Sequence, residues 1–191
     1  MSNIAIFASG TGSNARRIIE YFENKPDIDV KLVLSNKSTA PVLEMARDHG
    51  INTLTFDRNS FYETESLLEQ LHQYQIDFIV LAGFLWLVPP YLVQAYSGMI
   101  VNIHPALLPK YGGPGMYGSH VHKAVKQAGE TESGMTVHYV NAAYDEGDIV
   151  FQSSCRLQPE DSPEEIAKRV LKLEHEHFAP VIEQLIAKHQ R

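Results

Sequence analysis

Apolar residues fall in short, nearly unbroken runs, and between them they recur every three or four positions. That alternation predicts the fold. Residues 3–8 (Asn-Ile-Ala-Ile-Phe-Ala) form a run closed by Ser9-Gly10, the mark of a buried strand. Residues 13–24 then place Ile18, Ile19 and Phe22 at helical spacing, with Ser13 in the N-cap position. A second strand is predicted over 30–34, a second helix over 41–49 closed by Gly50, and a third strand over 52–56. A helix is predicted over 61–74, with Leu67, Leu68 and Leu71 on one side. Residues 78–82 (Phe-Ile-Val-Leu-Ala) read as the central strand, 91–96 as a short helix and 100–103 as the next strand.

Strands alternating with helices imply right-handed crossovers and a mostly parallel sheet. The strands lack polar alternation, as expected where both faces of a sheet are covered. The pattern changes after residue 105. Residues 111–118 hold four glycines and one proline, which predicts a flexible loop. A helix over 119–128 follows, then strands over 135–140 and 149–157 that pair antiparallel. One long helix over 163–188 closes the pattern, capped by Asp161 or Ser162 and kinked at Pro180. The expected architecture is a single Rossmann-like α/β domain over 1–191. Its central sheet is mostly parallel and flanked by helices, with an antiparallel C-terminal strand pair and a long C-terminal helix.

Composition narrows the function. A chain of 191 residues with 44% hydrophobic and 20% charged residues can bury one good core. Its net charge of −7 argues against the basic stripe that a nucleic-acid surface needs. Cys155 is the sole cysteine, so no internal disulfide forms, in keeping with a reducing compartment. No signal-peptide pattern leads the chain, and no apolar stretch reaches the length of a membrane span. The expectation is a cytoplasmic monomer or weak homodimer that acts on small molecules, with no nucleic-acid or membrane partner.

The candidate chemistry begins at Asn102 and His104. They end the run 99–104 and are followed by a proline-punctuated loop, Pro105-Ala106-Leu107-Leu108-Pro109. Residues i and i+2 of a strand share a face, so a carboxamide and an imidazole emerge side by side at a strand's carboxyl end. Ligands of open α/β sheets bind at that end. An amide donor beside an imidazole suits a reaction that builds negative charge on a carbonyl oxygen. Residues 141–148 (Asn-Ala-Ala-Tyr-Asp-Glu-Gly-Asp) offer a carboxylate to orient the imidazole, and spacing does not choose among Asp145, Glu146 and Asp148. The competing reading of each stretch is a polar strand end and a solvated turn.

Gly10-Thr11-Gly12-Ser13-Asn14-Ala15 matches the dinucleotide fingerprint between a strand and a helix. The second strand ends Leu34-Ser35-Asn36-Lys37, without the acid that would hold a ribose. A single phosphate at the helix N-terminus is therefore the better reading, with Ser13 and Asn14 adding side-chain hydrogen bonds. His120/His122 and His175/His177 are spaced i, i+2 on helices and face apart, so neither pair grips a metal, and both read as surface or loop histidines. His138 reads as a core histidine or as a wall of the site. The apolar stretch 83–89 reads as core, or as a wall for a flat aromatic ligand whose polar edge meets free backbone N–H and C=O groups.

Five stretches in order resemble the folate-dependent formyltransferases: Ser-Gly-x-Gly-Ser-Asn at 9–14, Leu-Ala-Gly-Phe at 81–84, Asn-Ile-His-Pro-x-Leu-Leu-Pro-Lys-Tyr at 102–111, Gly-x-Thr-Val-His at 134–138, and Glu174-His175. The resemblance covers nearly the whole chain. It implies transfer of a formyl group from 10-formyltetrahydrofolate, as co-substrate, to the amine of glycinamide ribonucleotide in purine biosynthesis, without a metal. It implies that Asn102, His104 and Asp145 are catalytic, with Asp145 favouring the cationic imidazole and His104 donating an N–H to the oxyanion. Gly12, Ser13, Asn14 and Glu174 would hold the ribonucleotide, and Leu85, Trp86, Leu87, Val88, Asn102, Val140 and Tyr144 the folate. The phosphate-binding half would span about 1–100, and the catalytic and folate-binding half about 80–160.

The chain departs from the family at Ala106, at Glu146 and Asp148, at Ser60 (where many members place an arginine) and in a longer loop over 112–118. From Met1 to Arg191 the pattern predicts neither the C-terminal nucleic-acid-binding domain of methionyl-tRNA formyltransferases nor the N-terminal regulatory domain of formyltetrahydrofolate deformylases. The ribonucleotide branch is therefore expected. The alternatives are another folate-dependent formyltransferase or deformylase, or a non-catalytic nucleotide-binding module on the same fold.

Overall fold

In a computed structural model of the chain, which describes residues 1–189, one seven-stranded sheet runs in the order β3-β2-β1-β4-β5-β6-β7. Its strands are β1 (Ser2–Phe7), β2 (Ile28–Ser35), β3 (Asn52–Thr55), β4 (Phe78–Leu81), β5 (Ile100–His104), β6 (Glu132–Tyr139) and β7 (Ile149–Arg156). The first five are parallel, and β6 and β7 pair antiparallel onto the β5 edge. The helices are α1 (Ser13–Phe22), α2 (Pro41–Asp48), α3 (Arg58–Tyr62), α4 (Ser66–Gln73), α5 (Pro90–Ala95), α6 (Ser119–Gln127) and α7 (Pro163–His189).

Both faces of the sheet are buried, and β1 shows how. Ile4, Ile6 and Ala8 pack into a core shared with α1, α2, α6 and α7, whereas Ala5 and Phe7 point the other way into a core shared with α3, α4 and α5. Helix α1 contributes Ala15, Ile18, Ile19 and Phe22, a stripe that joins it to the first core. Each large side chain so buried is worth roughly 1.5–3 kcal/mol. Strand order reverses between β1 and β4, and the carboxyl ends on either side of such a switch point form the crevice of this class of sheet. No helix among the described residues is long and apolar enough to cross a membrane.

Two local expectations are corrected, and one alternative is chosen. The helix predicted over 61–74 is two helices, α3 and α4. Asp57 and Ser60 form a reciprocal capping box that starts α3 early, and the Thr64 hydroxyl bonds the Ser60 carbonyl and the Ser66 hydroxyl where the chain breaks. Ser60, the position of the family's arginine, is thus committed to a cap. Gly12, not Ser13, occupies the N-cap of α1, at φ 77° and with no side-chain cap. A Cβ there would run into Val42, and the left-handed backbone favours glycine. Ser162 alone caps α7, exchanging bonds with Glu165, while Asp161 binds Arg169 and the Gln158 N–H. Helix α7 contains Pro180 within its length.

Candidate active site

The antiparallel register of β5 and β6 builds the centre of the site. Asn102 lies opposite His138, and His104 opposite Thr136. Directly opposed residues share a face, so all four side chains leave the same side of the sheet, that of Ile100 and the second core. The contact follows: Asn102 Nδ2 is 3.1 Å from His138 Nε2. Opposite them, the turn after residue 140 carries Asp145 at φ 56°, a left-handed conformation that aspartate adopts more readily than most residues. Gly147 lets the turn press against β6, since a Cβ there would strike the Tyr139 carbonyl.

Asp145 gathers the group. Its Oδ2 accepts the Gly113 N–H at 3.0 Å and lies 3.4 Å from His104 Nδ1. Its Oδ1 lies 3.4 Å from Asn102 Nδ2 and 3.5 Å from His138 Nε2. Burial pushes its carboxyl up, but the His138 bond, the His104 ring and the Gly113 N–H together hold it below the usual carboxylate range. Glu146 and Asp148 are exposed, and the Asp148 carbonyl serves only to receive the Tyr139 N–H. The structure therefore selects Asp145 from the three acids.

The imidazoles are fixed by their backbone partners. His138 Nδ1 lies 2.9 Å from the Tyr139 carbonyl and donates there, while its Nε2 faces both Asn102 Nδ2 at 3.1 Å and Asp145 Oδ1 at 3.5 Å. His104 Nε2 lies 2.7 Å from the Tyr111 carbonyl, so Nε2–H is the committed donor and Nδ1 is the position that titrates. One expectation changes as a result: the His104 Nε2–H is spent on Tyr111 and does not face a reacting oxygen. Asp145 does favour the cationic ring, but burial lowers the His104 pKa more than Asp145 and the Tyr111 carbonyl raise it.

These groups open into a cleft of ≈ 530 Å³, inside the range of roughly 300–1,000 Å³ usual for ligand pockets. Its apolar wall is the segment after β4, including Leu85, Trp86, Leu87 and Val88, faced by Val140 and Tyr144. Phe7, Phe56, Phe61 and Phe84 pack edge and face beneath that wall, and Trp86 meets them edge-on or tilted. Two backbone groups expected to be free are taken: the Leu85 N–H by Ser9 Oγ at 3.2 Å, and the Leu87 carbonyl by the Tyr62 hydroxyl at 3.0 Å. They stiffen the wall rather than present it.

At the other end, Asn14 Nδ2 donates to Glu174 Oε2 at 2.6 Å, joining residues 160 apart in sequence. Both line the cleft. Burial pushes the Glu174 carboxyl up, against the pull of Asn14. Gly12 and Ser13 sit behind Asn14 and do not line the cavity, so what they offer it is the uncapped start of α1. His122 is a correction: it is buried, lines the cleft, and burial and His104 lower its pKa. Its partner in the motif, His120, lies exposed against Tyr117, so the two rings do face apart. His175 has a sealed Nε2, and His177 packs on Phe151; both are half-buried rather than surface groups. Among the described residues no three His, Cys, Asp or Glu side chains are grouped to hold a metal ion.

A cleft at the switch point of a parallel sheet, with a carboxamide, imidazoles and a carboxylate around one opening, is the arrangement of an acyl-transfer enzyme. Residues 2–182 match the formyl transferase family model, and the chain belongs to that family. Among its relatives, the phosphoribosylglycinamide formyltransferase of Bacillus subtilis is 36% identical over the whole of this chain and 98% of its own length. The chloroplastic phosphoribosylglycinamide formyltransferase of Arabidopsis thaliana is 44% identical over 94% of this chain, which spans 63% of that longer protein. A crystal structure of the phosphoribosylglycinamide formyltransferase from Bacillus halodurans superposes with a TM-score of 0.88 at 34% identity, covering 98% of this chain and 97% of that one.

Proposed function

We propose that the protein transfers the formyl group of 10-formyltetrahydrofolate to the amine of glycinamide ribonucleotide. The observation that carries the reading is the convergence of Asn102, His104 and His138 on Asp145 in one cleft, through contacts of 3.4–3.5 Å to the carboxylate and 3.1 Å between Asn102 and His138. The long contacts suit an unfilled site, whose hydrogen bonds tighten around the reacting atoms.

The folate lies along Leu85, Trp86, Leu87, Val88, Val140 and Tyr144, with its formyl group toward Asn102. The ribonucleotide lies toward α1 and α7. Its phosphate meets the free N–H groups at the start of α1 around Gly12, Ser13 and Asn14, and Glu174 accepts from its hydroxyl groups. Glu174 comes from α7, so the ribonucleotide half extends beyond residues 1–100. As the amine attacks the formyl carbon, Asn102 Nδ2–H donates to the developing oxyanion. His104 is neutral at the outset, and its Nδ1 takes the proton that leaves the attacking nitrogen. The imidazolium, backed by Asp145, returns that proton to the folate nitrogen as the carbon–nitrogen bond breaks, releasing tetrahydrofolate. The protein works as a monomer or weak homodimer: among the described residues the exposed large apolar side chains are Met1, Leu85, Tyr117, Tyr144 and Ile149, and three of them rim the cleft.

Purified protein given both substrates and followed by folate absorbance tests the reading. Nucleotide binding without release of tetrahydrofolate would favour a binding module instead.

A further inference from the structure

We infer that Glu130 and the Tyr111 hydroxyl are positioning residues for His104, acting at a distance through the Tyr111 carbonyl. The inference rests on the proposed role of His104 for its kinetic consequences, but its structural content does not. His104 Nε2 is held at 2.7 Å by the backbone carbonyl of Tyr111. Tyr111 is a non-glycine residue at φ 58°. A left-handed conformation persists only where its surroundings impose it.

The surroundings are identifiable. The loop after β5 is pinned at its start: Leu108 N–H donates to Thr136 Oγ1 at 3.1 Å, and Gln152 Nε2 donates to the Leu108 carbonyl at 3.0 Å. Beyond Pro109 the next backbone anchor is the Gly113 N–H, which donates to Asp145 Oδ2 at 3.0 Å, and the side chains hold the stretch between. There Tyr111 folds its half-buried ring against the first core and donates its hydroxyl to Glu130 Oε1 at 2.9 Å. Lys110 Nζ donates to the same oxygen at 2.8 Å. Glu130 follows Gly129, which sits at φ 65° just past the C-cap of α6. One carboxylate oxygen thus clamps two successive residues of the loop to the far end of a helix. The clamp fixes the carbonyl that fixes the imidazole. Around His104 the other groups are Asp145 at Nδ1, His138 across the strand pair and His122 on α6, none of which touches Glu130.

Tyr111→Phe removes only the hydroxyl, and Glu130→Ala removes the acceptor from outside the cleft. Glu130→Gln keeps an acceptor oxygen and is the conservative control. Two readouts are taken: the NMR titration of the His104 ring, and steady-state formyl transfer. The Tyr111 carbonyl favours the protonated ring, so a slackened clamp moves the His104 midpoint to lower pH in Tyr111→Phe and Glu130→Ala, and much less in Glu130→Gln. Turnover falls about tenfold in the first two variants, as for one lost hydrogen bond of ordinary strength, while KM for either substrate changes by less than about twofold. The double variant is no worse than the worse single one, because both break the same link.

An unchanged His104 midpoint in variants that melt like the wild type overturns the inference, and so does an effect confined to KM. If Tyr111→Phe fails to fold, Glu130→Ala decides alone. The titration needs no turnover. A wild type that transfers no formyl group sinks the proposed reaction, while the midpoint still decides the clamp.

Discussion

Asn102→Ala separates transition-state stabilisation from binding and from stability. In the folded protein the Asn102 amide makes two contacts, one at 3.1 Å to His138 Nε2 and one at 3.4 Å to Asp145 Oδ1. The first is an ordinary neutral hydrogen bond and the second is at the limit of one, so their loss costs about 1 kcal/mol of stability. Against the reaction the cost is larger. In the proposed reaction the amide donates to the formyl oxygen, and loss of such a donor lowers turnover by ~10²–10³, or about 2.7–4 kcal/mol of barrier. The oxygen bears full charge only in the transition state, so ground-state affinity barely moves. The expected signature is a kcat two to three orders of magnitude lower (about 10²–10³), KM values near wild type, and a melting temperature lower by a few degrees (about 2–8 °C). Steady-state kinetics with the folate absorbance signal and a thermal melt measure all three. A kcat within a few-fold of wild type, or a loss seen only in KM, refutes the oxyanion role.

Asn14→Leu removes the donor that holds Glu174 and puts an apolar branch at the start of α1, so the KM for glycinamide ribonucleotide rises with little change in that for folate; calorimetric titration with the nucleotide that shows unchanged affinity contradicts the assignment. Gly147→Ala drives a methyl into the Tyr139 carbonyl, and relief by backbone shift costs about 1–3 kcal/mol; both melting temperature and kcat fall because Asp145 rides on that turn, and retention of full activity would show that Asp145 is not held by it. Stability also depends on pH. Burial lowers the pKa of His104, His122 and His175 in the folded protein, so as pH falls below about 6.5 the unfolded chain takes up protons that the folded one refuses, and stability drops between pH 7 and 5. Glu174, whose pKa burial raises, binds its proton earlier in the folded state and blunts the loss toward the acid end. A melting temperature that is flat or rising from pH 7 to 5 contradicts the sign.

Features set by neighbouring positions in the chain were legible in the sequence. The apolar runs marked the central strands β1, β2, β4 and β5, because a strand buried on both faces writes its burial into consecutive residues. Asn102 and His104 were legible for the same reason: i, i+2 on a strand is a statement about one face. The break between α3 and α4 was missed, although Asp57-x-x-Ser60 carries a capping signal, because the leucines of 67–71 extend a helical pattern backward past it. Asp145 could not be chosen from its two acidic neighbours. Its selection depends on a left-handed backbone and on a glycine pressed against β6, neither of which leaves a periodic trace.

The residues that the sequence left open are the ones placed by pairing between distant segments. His138 enters the site because β6 runs antiparallel to β5 with Asn102 as its opposite number; a slip of one residue would turn its ring into the first core, among Met135 and Val137. The spacing 102-x-104 in one strand and 136-x-138 in the next thus become one four-residue patch only when the register is known. His122 differs again: i, i+2 on a helix correctly separated it from His120, but which of the two faces inward depends on how α6 lies against the sheet. In the structure Val121 and Val125 mark the buried side of α6, and His122 adjoins it. Chemistry carried on one strand can therefore be read residue by residue, whereas a network that spans β5, β6 and the loops at 111 and 145 is a property of register, and register is what makes an isolated Asn-x-His into a site that can stabilise an oxyanion.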